Sequence, residues 1–175
     1  MTNDMQHSPA DIVSRLLVTL GVASVPGDVL SWPAYVSSEP DRPDEVITVY
    51  DTQGTMEGTA HEELQGHYGI QIRVRARTHS SGWARSNLIR QALQNQYQTR
   101  VVIDDQTYLV QCAARFASVI PMGRARESAR ILFSQNLLVM IHNATLVTPA
   151  DPVYLLDPSG NSLTDPDGNE LLEAA

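Results

Sequence analysis

Apolar residues recur at helical spacing early in the chain, at Ile12, Val13, Leu16, Leu17 and Leu20, before Gly21 breaks the run. Ser8 is placed to cap this helix, Pro9 suits its first position, and Asp11 complements the partial positive charge of its N-terminus. The pattern therefore predicts a helix with one buried face. From Val22 to Glu45 no period holds. Pro26, Gly27, Pro33, Pro40 and Pro43 interrupt the chain there, and Trp32, Tyr35 and Val36 are left as anchors for an irregular excursion.

Period two appears next. Val46–Tyr50 is short, β-branched and aromatic, which predicts a strand; 51–66, rich in glycine, threonine and acids, predicts an exposed loop or flap. Along 68–77 Ile70, Ile72, Val74 and Ala76 alternate with Gln71, Arg73, Arg75 and Arg77, the clearest strand of the sequence. Helical spacing returns over 81–97, capped by Ser80 or Ser81, with Ala84, Leu88, Ile89, Ala92 and Leu93 as its apolar stripe. A hairpin about Asp104 and Asp105 joins strands at 100–103 and 107–116, and 129–142 reads as one long or bulged strand. The expected fold is α+β: one domain over 1–146, a mixed or antiparallel sheet of about five strands with two main helices packed on it. Its core includes Ile70, Ile72, Val74, Leu88 and Leu93. Beyond it, 147–175 holds three Asp-Pro pairs, and DPSGN at 157–161 is echoed by DPDGN at 165–169. These are turn formers, and they predict an extended C-terminal arm with small hairpins.

At 175 residues and 42% hydrophobic, the chain suffices for one core and not for two. No stretch approaches the roughly eighteen consecutive apolar residues of a membrane helix. The N-terminus lacks the basic and apolar regions of a signal or transit peptide, so synthesis and retention in the cytoplasm are expected. The lone Cys112 lies in an apolar stretch and reads as a small buried hydrophobe.

Charge changes the picture more. Residues 1–72 hold eleven acids and two arginines, residues 73–130 three acids and ten arginines, and residues 131–175 six acids and no base. Such segregation suits a basic face meeting an acidic one on a neighbouring subunit; equally, the segments interleave within one chain and cancel locally. Arg73, Arg75 and Arg77 share one strand face at about 7 Å intervals, a spacing that fits phosphates as well as a row of carboxylates. The pI near 4.9 and the scarcity of aromatic residues nearby weigh against nucleic acid.

Catalytic chemistry finds little support. His61 and His67 stand six apart rather than four, which is no zinc-protease helix, and neither a nucleophile elbow nor a phosphate loop is present. Asp165, Asp167 and Asn169 begin like a calcium loop, but Glu170 stands where the turn glycine belongs. No catalytic residue, metal ligand or cofactor is assigned, and a small hydrolase is the weakest of the readings.

The run YGIQIRVRARTHSSGWARSNLIRQALQ from Tyr68 to Gln94, preceded by VITVYDTQG at 46–54, resembles the tail-terminator and minor capsid proteins of long-tailed bacteriophages. The resemblance extends over about 8–142, and its specific part is these two stretches. It implies a non-enzymatic virion protein, an α+β subunit that forms a homohexameric ring on the tail tube. That ring stops tube polymerisation and presents a joint to the head. Implied partners are further copies of the chain, the tail tube protein, the head-side connector or stopper and the tail sheath, with DNA only passing through the channel and no membrane. The implied location is the tail or neck of the virion, after assembly in the host cytoplasm. The interface candidates are Arg73, Arg75, Arg77 and Arg85 against Glu57, Glu62 and Glu63. A head-completion or neck subunit and a nucleic-acid-binding accessory protein are the alternatives.

Overall fold

The computed structural model describes residues 5–28, 32–57, 65–94, 96–112, 118–124 and 130–144. Its elements are α1 (Pro9–Thr19), β1 (Ala34–Val36), β2 (Val46–Glu57), β3 (Gln65–Ala76), α2 (His79–Gln94), β4 (Thr99–Ile103), β5 (Gln106–Cys112), β6 (Ile120–Arg124) and β7 (Ile131–Asn143). One sheet runs in the order β1-β2-β3-β7-β5-β4, with β6 also on β7. Among the described strand pairs only β1–β2 is parallel. The α+β class holds, and the described sheet has seven strands where about five were expected.

α1 starts as its sequence dictates. Ser8 Oγ accepts from the Asp11 N–H at 3.1 Å while the Ser8 N–H donates to Asp11 Oδ2 at 3.3 Å, a reciprocal cap. A second first-turn donor, the Ala10 N–H, reaches Asp51 Oδ1 of β2 at 2.8 Å, which fixes the helix to the sheet. Ile12, Val13, Leu16 and Leu17 are fully buried. Ser8→Ala should therefore cost about 1 kcal/mol. Thermal melting checks this: a fall of a few degrees is expected, and an unchanged midpoint would show that the cap contributes nothing.

β2 and β3 form a longer hairpin than the alternation suggested. β2 continues to Glu57 and β3 begins at Gln65, with a register shift between Thr52 and Thr55 absorbing the irregular sequence. The two strands thus take in most of the loop expected over 51–66, and 58–64 lies outside the described residues. Ile70, Ile72, Val74 and Ala76 lie on the helix-covered face, as alternation requires. β7 pairs with β3 from Ile131 to Met140 on one side; on the other it takes β6 along its first residues and β5 along its last.

α2 corrects two expectations. Its cap is Thr78, whose hydroxyl accepts from the Ser81 N–H at 3.1 Å, rather than Ser80 or Ser81. Its buried face is Gly82, Ser86, Ile89 and Leu93, so Leu88, expected in the core, is 43% exposed. Close approach causes the rotation. A methyl group on Gly82 would overlap the Phe133 ring of β7, so the helix sits on the sheet through its smallest residues and turns Leu88 outward.

α1 packs against β1, β2 and β4, although β1 and β4 stand at opposite ends of the strand order. The sheet therefore curls around α1, while α2 covers β3 and β7. Cys112 is buried and free, and desolvation pushes its thiol up to about 12. The C-terminal arm expected over 147–175 lies outside the described residues.

Candidate subunit interface

The face of β3 opposite the helices carries the arginine row, and the row is already occupied. Arg75, its side chain only 7% exposed, donates from Nη1 to Glu39 Oε1 at 3.0 Å and from Nη2 to the carbonyls of Pro40 and Pro43 at 2.6 and 2.7 Å. Those carbonyls belong to an excursion with no strand partner, so a forked guanidinium supplies donors that a ladder would otherwise give. Arg73 lies over the Tyr50 ring at 5.1 Å with Glu39 at 3.8 Å. Arg77 Nε stands 3.2 Å from Asp44, which also takes Arg130 Nη2 at 2.7 Å.

Arg85 works differently. Its guanidinium stacks over Trp32 at 5.0 Å and donates to the Val22 carbonyl at 3.1 Å. Burial pulls its pKa below the usual value and Glu45 acts against that shift. It fastens the start of the excursion, where Trp32 takes a left-handed φ of 70° and remains buried. The four arginines expected at a subunit boundary are thus engaged within their own chain. The alternative in which charged segments interleave and cancel describes them better. Of their expected acidic counterparts, Glu57 ends β2, and Glu62 and Glu63 lie outside the described residues.

Other surfaces remain open. Beside α2 and the edge strand β6, Trp83, Ile120 and Met122 are 43, 49 and 52% exposed. Pro121 is the register partner of Phe133, whose ring lies 6.4 Å from that of Trp83, which brings this end of β6 beside the tryptophan; Ile120, paired with Ser134, belongs to the other face of the strand. A groove of about 260 Å³ runs along α1 between the two outermost strands, with Val18, Val25, Val36 and Ile103 on its walls. His7 closes one end: its Nδ1 is 2.8 Å from the Tyr108 hydroxyl and its Nε2 3.4 Å from Asp104 Oδ2. On the opposite sheet face a shallow hollow of about 410 Å³ lies over Gly69, bordered by Gln71, Asn136 and Leu138. Among the described residues no three of His, Cys, Asp and Glu converge as a metal ion would require.

Sequence reasoning missed the Trp83–β6 patch because IPMGR, with proline and glycine inside it, does not read as a strand. Its five exposed residues became visible only once β6 was found paired to β7.

Residues 13–142 match a family model described as "Bacteriophage tail terminator protein". That span opens within α1 and closes at the next-to-last residue of β7, so it takes in nearly the whole described fold. No curated protein matches the chain.

Proposed function

Because the chain belongs to the bacteriophage tail terminator family, we propose that it closes into a ring on the end of the tail tube, where it halts tube polymerisation and offers a joint to the head-side connector. The family match over 13–142 carries this reading. Six copies are the proposed number, the virion is the proposed location, and the role requires no reaction and no cofactor. The tube protein and the connector are the proposed neighbours, with the sheath adjoining the ring in a contractile tail and DNA passing through the channel.

Two features of the surface support an assembling subunit. Large apolar side chains stand exposed at Trp83, Ile120 and Met122, which a permanently solitary chain would have reason to cover. The edge strands β4 and β6 also keep one flank each without a described neighbour. The nucleic-acid alternative loses its main support, because the arginines that would track phosphates are held by Glu39 and Asp44.

Light scattering across protein concentration, together with electron microscopy of tube protein polymerised with and without this chain, tests the proposal. Discrete rings and tubes of limited length capped at one end are expected. Tubes that grow to the same lengths in a molar excess of the chain would overturn it.

A further inference from the structure

We propose that the ring contact is made by inserting the Trp83–Met122 patch of one copy into the α1 groove of the next. The inference rests on the ring reading above and specifies which surfaces meet. The patch belongs to α2 and β6 on the first half of β7, whereas the groove belongs to α1, β1 and β4. No residue is common to both, so the contact is heterologous and repeats from copy to copy until the circle closes.

Shape and charge both favour this pairing. The groove, at about 260 Å³, falls below the usual range for a small-molecule site and accommodates a side chain or two. Six of its eleven lining residues are valine, isoleucine, alanine or proline and suit Met122 or the edge of Trp83, while the other five are polar. Exposed aromatic and methionine side chains are the residue types enriched at the centres of such contacts.

The charges around each surface are of opposite sense. α2 and β6 carry Arg85, Arg90 and Arg124 with no acid in either element. Arg85 is spent on Trp32, but Arg124 is exposed. Around the groove stand Asp11 and Asp104, with Asp105 next to the latter, against a single arginine, Arg15. Asp104 has its side chain 86% exposed at the tip of the β4–β5 turn, ready for a cation brought by another copy. Such rim charges set orientation and encounter rate more than affinity.

Thiol trapping tests the pairing directly, because the one native thiol, Cys112, is buried and its pKa is pushed up to about 12, so it does not compete. Full-length Met122→Cys and Val25→Cys variants are mixed in equal amounts and treated with a short bismaleimide. A linked dimer at roughly ten times the yield of either variant alone is expected, and Arg124→Glu added to the first variant should reduce it several-fold in low salt. The two substitutions placed in one chain should give a ladder of linked multimers instead. A mixture that links no better than its components would overturn this pairing, and if light scattering still shows rings, the ring reading survives it. Linked dimers with no closed oligomer at any concentration would support the pairing and remove the ring.

Discussion

Replacing Arg75 with methionine is expected to destabilise the fold by about 3 kcal/mol. The aliphatic part of the side chain is preserved, so lost packing contributes little. What disappears is the donor set for the Pro40 and Pro43 carbonyls and the cation opposite Glu39. Most of the cost falls on Glu39, left poorly solvated without its close ion partner, because water can reach the carbonyls of half-buried Pro40 and exposed Pro43. Because Arg73 is 3.8 Å from Glu39 and able to move toward it, the loss should stop short of the full sum. Urea unfolding gives the number, and proteolysis gives the place: cleavage near Arg42 should accelerate while the rest of the chain stays resistant. A change below about 0.5 kcal/mol, typical of exposed ion pairs, would mean that the excursion holds itself without Arg75.

Gly82→Ala should destabilise by about 1–3 kcal/mol even though alanine is the better helix former. Two effects compete. Helix propensity favours alanine by roughly 1 kcal/mol. Against it, the new methyl overlaps the Phe133 ring and crowds Ala76, and Phe133 has little room to yield because His79 and Trp83 lie against it at ring separations of 5.2 and 6.4 Å. The overlap wins unless α2 lifts from the sheet. A compensating change separates the two terms: in a Phe133→Leu background, which has the space, Gly82→Ala should be neutral or stabilising. Equal penalties in both backgrounds would show that the helix, and not the ring, sets the cost.

These two sites show where reading the sequence succeeds and where it stops. α1 and β3 were legible because the apolar residues of each share one face, which makes hydrophobicity and period coincide. The face of α2 was misread at Leu88 for the opposite reason. Its contact runs through glycine and serine, so hydrophobicity pointed to the wrong side of the helix. β1 is three residues long and β6 contains both proline and glycine, too little pattern for either to be seen. The arginines were correctly placed on one face, but a charge row does not state whose acids it meets. That depends on an excursion folding back from Ser37 to Glu45, which has no period to announce it. The candidate docking patch and groove were illegible altogether, since each joins side chains from distant parts of the chain.

The position of β7 in the strand order bears on how the protein is made. It is the last described strand to leave the ribosome and also the central one, the only described link between the β1–β2–β3 half and the β5–β4 half. A nascent chain ending anywhere before Ile131 has two separate ladders, β1–β2–β3 and β4–β5, with the edges of β3 and β5 awaiting a strand not yet translated. Completion of the sheet is accordingly expected late, through contacts distant in sequence, which slow folding. The two surfaces paired in the proposed contact, one on β6 and one between β1 and β4, are therefore complete only when the whole described sheet is.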